Sequence, residues 1–378
     1  MQCSCFGALL SRKRHHIDSE KNLEGFSSEK NISLFSYIEL KSATDSFHPR
    51  NKIGRGGFGT VYKGILRNGV IVAVKVLSAD SRQGVREFLT EIDVITNNKH
   101  SNLVELIGCC VEGSNRILVY EYLENGSLDR ALLGSNSDAV KLNWDIRSAI
   151  CMGIARGLVY LHEELQPPVV HRDIKASNIL LDSNFLPKIG DFGVAKLFPD
   201  NITHISTRVA GTTGYLAPEY ALKGHLTKKA DIYSFGVLVL EIISGRSNSK
   251  SWTEMRIPLL EWTWTLLEED RLTELVDVAL KDYPEDQVIR YIKVALFCTQ
   301  AAAGRRPSMS QVVEMLSRPV QLNSKEITRP GYMDDSGKTS SSVRATNSTF
   351  SRVEDSTTGY TTTPFSPTRD TFTEMSPR

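Results

Sequence analysis

Apolar and polar residues alternate over residues 60–64, and residues 70–76 form a short, β-branched apolar run, which predicts two strands. Asn68-Gly69 lies between them and predicts a hairpin whose two turn residues both tolerate positive φ. The period then changes. Over residues 82–97, Val85, Phe88, Leu89, Ile92 and Ile95 fall on one helical face. Past Leu123 helical spacing dominates: Ile150, Ile154, Gly157, Leu158 and Leu161 mark a helix ending near His162, and Pro167-Pro168 forces an extended stretch after it. Helical spacing returns over residues 229–317, and residues 34–47 predict a short helix ahead of the first strand. A small β-rich part followed by a larger helical part predicts an α+β fold in two lobes, with a small β-rich N-lobe and a larger helical C-lobe. Residues 1–33 hold no sustained period and read as a flexible arm. Residues 336–378 are rich in Ser and Thr with almost no aliphatics, and read as part of a disordered tail.

Composition changes this picture little. With 378 residues, 40% hydrophobic and 24% charged, the chain can bury a large core, and a net charge of +1 gives no electrostatic case for nucleic acid as a partner. The six cysteines show neither a disulfide framework nor zinc spacing, which fits a reducing, intracellular compartment; Cys109 and Cys110 are expected as small core residues of a strand. The most apolar run, residues 235–243, includes Glu241 and is too short to span a bilayer. A small apolar patch at residues 6–10 precedes Arg12-Lys13-Arg14, the reverse of a secretory signal.

Four motifs carry candidate chemistry. The first is Gly54-x-Gly56-x-x-Gly59, flanked by Ile53 and Val61. Strand-like residues follow it where a dinucleotide fold would open a helix, so it reads as a glycine loop between two strands that can fold over phosphates. The second is Val72-Ala73-Val74-Lys75. A lysine within an apolar strand needs charge partners; phosphates and a helix glutamate supply them, with Glu91 preferred over Glu87 because it adjoins the apolar face. The third is His171-Arg172-Asp173-Ile174-Lys175-Ala176-Ser177-Asn178. Here Asp173 can accept a hydroxyl proton, Lys175 can stabilise charge on a phosphate and Asn178 can hold Mg²⁺. The fourth is Asp191-Phe192-Gly193, a carboxylate at a strand end that suits a hard cation bridging phosphates.

Taken in order, these motifs resemble those of the eukaryotic protein kinases over residues 47–318. Ala217-Pro218-Glu219 is similar to the end of that family's activation segment, Asp231 to its buried helix aspartate, and Arg306 to the arginine that pairs with the segment's glutamate. The resemblance implies an active enzyme transferring the γ-phosphoryl group of ATP to protein hydroxyls, with Mg²⁺ as cofactor and protein substrates as partners. It implies an N-lobe over residues 47–122, a C-lobe over 123–318, a leading helix over 34–46 and a tail from 319. Lys175 and Gly211-Thr212 resemble the serine/threonine pattern, in which Thr212 would contact Asp173 and Lys175. Tyr120, Glu121 and Tyr122 would line the adenine site with Ala73, and Tyr120 would be the gatekeeper.

Arg172 before the catalytic aspartate points to activation-loop phosphorylation, with Thr207 first, Ser206 second and Thr212 a further candidate. The hinge and residues 35–47 resemble plant receptor-like kinases, and specifically receptor-like cytoplasmic kinases, with the cold-responsive protein kinase group as a look-alike. An upstream receptor kinase is then an expected partner, and autophosphorylation an expected activity. Gln2 excludes N-myristoylation, while Cys3 and Cys5 ahead of residues 12–16 are candidates for S-acylation and peripheral membrane attachment at the cytoplasmic face. The alternatives are a dual-specificity kinase, or a scaffold with the fold but weak turnover; Lys75, Asp173 and Asp191 are all retained, which counts against the scaffold.

Overall fold

A computed structural model describes residues 32–331, apart from 57–58, 78–81, 97, 135–141, 200–201, 249–257 and 319–321. The elements run β1 (Ser33–Leu34), α1 (Tyr37–Ala43), β2 (Lys52–Gly56), β3 (Gly59–Ile65), β4 (Ile71–Leu77), α2 (Arg82–Ile95), β5 (Leu106–Glu112) and β6 (Asn115–Glu121). There follow α3 (Leu128–Leu133), α4 (Trp144–Val159), β7 (Val169–Val170), β8 (Ile179–Leu181), β9 (Pro187–Ile189), β10 (Lys196–Leu197), β11 (Ile205–Ser206), α5 (Pro218–Lys223) and β12 (His225–Leu226). The chain then continues through α6 (Lys229–Ser244), α7 (Leu259–Glu268), α8 (Glu285–Cys298) and α9 (Met309–Ser317).

Six strands form one sheet in the order β1-β5-β6-β4-β3-β2, antiparallel except for the β1–β5 pair. Val72, Val74, Ile117 and Val119 point to one face and pack with Leu40 of α1 and Cys110. The opposite face, with Leu118 and Cys109, joins α2 through Phe88 and Ile92 and continues into the helical core. That core centres on α6, where every residue from Ala230 to Ser244 is buried. The apolar run that contains Glu241 is therefore the middle of a core helix. Burying one such Leu or Ile contributes about 1.5–3 kcal/mol, so α6 is the main brace of the C-lobe.

The α+β bilobal expectation holds, and four local readings change. The expected helix over 34–47 is confined to α1, because Ser33 and Leu34 instead extend the sheet beside Gly108 and Cys109. Ser36 starts the helix by a capping box with Glu39. The Asn68-Gly69 turn has positive φ only at Gly69, and the loop closes wider, with Leu66 N–H donating to the Val70 carbonyl. The helix through Ile150 runs past His162 as a wide π-turn at Tyr160–Glu164. Finally, the expected tail does not begin as loose chain: residues 322–331 are held against the C-lobe, with Ile327 buried. The rest of the tail, and the arm with Cys3 and Cys5, lie outside the described residues.

Candidate active site

The β2–β3 pair places the glycines over the open end of the sheet, with Gly54 beside Val61 and Gly56 beside Gly59. Only Gly59 is demanded by packing: a Cβ there would sit 2.3 Å from the Val76 carbonyl oxygen of β4. At Gly56 an added Cβ would meet nothing within 4 Å, so space remains above the backbone. Register puts Val61 opposite Lys75, and Ala73 opposite Tyr120. Ile53, Val61 and Ala73 are half-buried.

Lys75 reaches from the sheet to two other elements. Its Nζ lies 2.9 Å from Glu91 Oε2 on α2 and 2.8 Å from Asp191 Oδ1. Burial alone would lower the lysine's pKa, but the two carboxylates outweigh it and hold the ammonium above its ordinary value. In the same way, burial would raise Asp191, and the adjacent Lys75 charge keeps it below the usual carboxylate range. Glu87, the competing partner, bonds Gln83 Nε2 at 2.8 Å instead, and burial pushes its pKa up. Tyr120 is buried against this group. Burial, followed by the Glu91 charge, drives its phenol well above the usual range. Its hydroxyl and Glu91 Oε1 have no hydrogen-bond partner among the described residues.

At the end of β6, Glu121 commits its carboxylate to Lys188, with Nζ at 2.8 and 3.0 Å. Only its backbone is then left for a ligand in the cleft. The Tyr122 ring lies under Lys63 Nζ, 4.5 Å from the ring centroid.

The second cluster hangs on α6. Asp231 Oδ2 accepts from the His171 amide at 2.7 Å and bonds His162 Nε2 at 2.8 Å, while Oδ1 accepts from the Arg172 amide at 2.8 Å. These bonds fix Arg172 at φ 72°, a conformation costly for a side chain of that size. Burial would raise the Asp231 pKa, but the hydrogen bond from His162 and the amides hold it down. The His171 ring stacks edge-on to Phe192 with centroids 4.7 Å apart, which ties the loop before Asp173 to the one after Asp191.

Asp173 is buried at the centre of this cluster. Oδ1 accepts from Thr212 Oγ1 at 2.7 Å, while Oδ2 lies 3.0 Å from Asn178 Nδ2 and 2.8 Å from Lys175 Nζ. Lys175 Nζ also donates to Thr212 Oγ1 at 2.7 Å. The β8–β9 hairpin sets Ile179 opposite Ile189, and the Gly190 amide bonds the Asn178 carbonyl at 2.9 Å, so Asn178 and Asp191 both stand at the open end of one short ladder.

The donor set fits a hard divalent cation. Asn178 spends its Nδ2 on Asp173, which leaves Oδ1 uncommitted, and Asp191 uses one oxygen on Lys75. Among the described residues no group of three His, Cys, Asp or Glu gathers.

Arg172 sends its guanidinium to the Tyr220 hydroxyl and to the carbonyls of Val194 and Arg208. Thr207 and Ser206 immediately precede Arg208, with Ser206 exposed and Thr207 half-buried. Tyr220 was not foreseen from the sequence, because nothing local links a helix tyrosine to an arginine 48 residues earlier. At the end of the segment, Arg306 pairs both guanidinium nitrogens with Glu219 at 2.7 and 2.8 Å.

A family model described as protein tyrosine and serine/threonine kinase matches residues 47–316. The chain is 55% identical over 313 residues to Cold-responsive protein kinase 1 of Arabidopsis thaliana, covering 81% of this chain and 79% of that one. Two probable leucine-rich-repeat receptor-like serine/threonine-protein kinases of the same plant are 53% and 52% identical over 86% and 88% of this chain. This chain spans about a third of their length, 31% and 33%.

Proposed function

The chain belongs to the protein tyrosine and serine/threonine kinase family, and from that premise we propose how its cleft performs phosphoryl transfer. It is a serine/threonine protein kinase, moving the γ-phosphoryl group of ATP to protein hydroxyls. Ile53, Gly54, Gly56, Gly59 and Val61 cover the nucleotide. Ala73, Tyr120, the Glu121 backbone and Tyr122 surround the adenine, and the tyrosine closes the pocket behind it. Lys75, oriented by Glu91, neutralises phosphate charge. Asn178 and Asp191 would hold Mg²⁺, which would supply charge neutralisation at the phosphates. Asp173 accepts the proton of the attacking hydroxyl, and Lys175 stabilises charge on the transferring group. Thr212 bridges Asp173 and Lys175 and positions both.

The observation that carries this reading is Lys75 bonded at once to Glu91 and Asp191. A free ammonium at that depth would be costly, so the three residues are held in one geometry before any nucleotide arrives. Mg-ATP should raise the melting temperature of the wild type, and Asp191→Asn should abolish most of that shift. Phosphoamino-acid analysis of labelled substrate should then show phosphoserine and phosphothreonine. An unshifted melt with no incorporation would mark a scaffold, and phosphotyrosine would mark dual specificity.

Regulation follows from Arg172. Phosphate on Thr207, or secondarily on Ser206, would draw the guanidinium from the neighbouring Arg208 carbonyl and order the loop. Thr212 is the third candidate, although its hydroxyl is already engaged by Asp173 and Lys175. The receptor-like relatives support a receptor kinase upstream. No helix among the described residues is long and apolar enough to cross a membrane. Attachment to the cytoplasmic face would rest on acylation of Cys3 and Cys5 beside the basic residues 12–16. Replacing both cysteines with serine should then shift the protein out of the membrane fraction.

A further inference from the structure

The family match stops at residue 316, yet residues 322–331 lie on the C-lobe as a strap. Ile327 is buried and Leu322 packs against the core. The Thr328 amide and Oγ1 both donate to Gln300 Oε1, at 3.2 and 2.9 Å. Gln300 also bridges Pro330, and the Tyr233 hydroxyl donates to the Gly331 carbonyl at 2.6 Å. A Cβ on Gly331 would come within 2.8 Å of Pro218 Cγ, so the strap runs directly against the first turn of α5.

Gln300 connects the strap to the activation segment. Its backbone carbonyl accepts from Arg306 Nε at 2.8 Å, and Arg306 is the partner of Glu219. Its side chain cannot turn to offer a donor to Thr328, because Nε2 already serves the carbonyls of Phe297 and Arg305 at 3.3 and 3.0 Å. Thr328 Oγ1 therefore meets a fixed acceptor. A hydroxyl suits that acceptor. A phosphate ester has lost the donor and would set negative oxygens against Oε1. The flanking residues 323–326 and Arg329 are exposed, and the strap is held by a handful of bonds, so transient lifting is cheap relative to opening the core.

We propose that Thr328 is a phosphorylation site of this kinase, modified by a second copy of the chain, and that the phosphate unseats the 322–331 strap from Gln300. The step is the ordinary reaction of the cleft. The Thr328 O–H bond breaks and its proton passes to Asp173 of the acting copy. Oγ1 bonds the γ-phosphorus, the bond from that phosphorus to the β-phosphate oxygen breaks, and ADP leaves. Release removes the contact with Pro218 and frees Gln300, which backs the Arg306–Glu219 pair. The strap is thereby detached from the base of the activation segment.

This inference rests on the kinase reading, and the test separates the two. The full chain is incubated with Mg-ATP and a generic protein substrate, and its phosphosites are mapped alongside Asp173→Asn. Phosphothreonine at 328 in the wild type and its absence in the variant are expected. Turnover of the substrate with Thr328 unmodified overturns this proposal alone, while no turnover at all overturns the kinase reading as well. Hydrogen exchange supplies the readout of seating. In Thr328→Glu, and in the phosphorylated fraction of the wild type, amides of residues 322–331 should exchange at least about tenfold faster. The smaller change of Thr328→Val should fall between. Exchange at the unmodified rate in the phosphorylated protein would overturn the unseating.

Discussion

A buried ammonium survives only where carboxylates meet it. Lys75 has two, on different elements, and they hold its charge against the pull of burial. Lys75→Met should cut kcat by about 10²–10³-fold, the scale of removing one preorganised charge from a transition state, and should also lower the melting temperature, because Glu91 is left buried without its cation; steady-state kinetics beside a thermal melt checks both. Glu241 behaves differently. It lies in the core of α6, paired with no cation among the described residues and bonded to the Tyr215 hydroxyl and the Asn248 amide at 2.6 Å each. Burial lifts its pKa from the ordinary 4.5 to about 7. The folded state therefore binds a proton that the unfolded chain has lost, and the stability this contributes is present below pH 4.5 and lost as pH rises through 7. Glu241→Gln, which cannot ionise, should be more stabilising relative to wild type at pH 8 than at pH 5.5, as read from melts at the two pH values. An equal effect at both would place the titration elsewhere.

At the scale of elements, two joints carry the site. The β3–β4 pairing needs a residue without a side chain at position 59, where a Cβ would collide with the Val76 carbonyl. Gly59→Ala should cost about 1–3 kcal/mol through strand displacement and raise the KM for ATP more than it lowers kcat. The other joint is Arg306–Glu219, whose arginine is fully buried and also bonds carbonyls of Gln300 and Lys229. Arg306→Ala should destabilise the fold by about 3 kcal/mol, by leaving buried acceptors and a carboxylate without their donor; denaturant titration measures it. Gly59 was legible in the sequence because glycine spacing is a local mark, and Arg306 through its resemblance to the kinase family's arginine. Strands and helices were legible for the same reason, since apolar period is a local property. The pairing of Arg172 with Tyr220 was not, nor was the seating of residues 322–331. Both depend on side chains brought together from distant sequence by tertiary packing, and Asn68-Gly69 shows that even a strong turn signal can be widened by the strands it joins.

Over the whole molecule, the sheet supplies Lys75, α2 supplies Glu91, and the loops braced by Asp231 of α6 supply Asp173, Lys175, Asn178 and Asp191. No single element holds the site. Each lobe's core therefore contributes to catalysis by fixing where its side chains stand, and the strap at residues 322–331 adds a joint outside the part that matches the family. The central claim is that Asp173 takes the hydroxyl proton in a cleft already assembled around Mg-ATP. Transfer of labelled γ-phosphate from ATP to a protein substrate by wild type and Asp173→Asn, with nucleotide affinity measured on both, tests it most directly. Robust incorporation by the wild type, a loss of at least about 10²-fold in the variant and unchanged nucleotide affinity are expected. Equal incorporation by the two proteins, or none by the wild type, would contradict it.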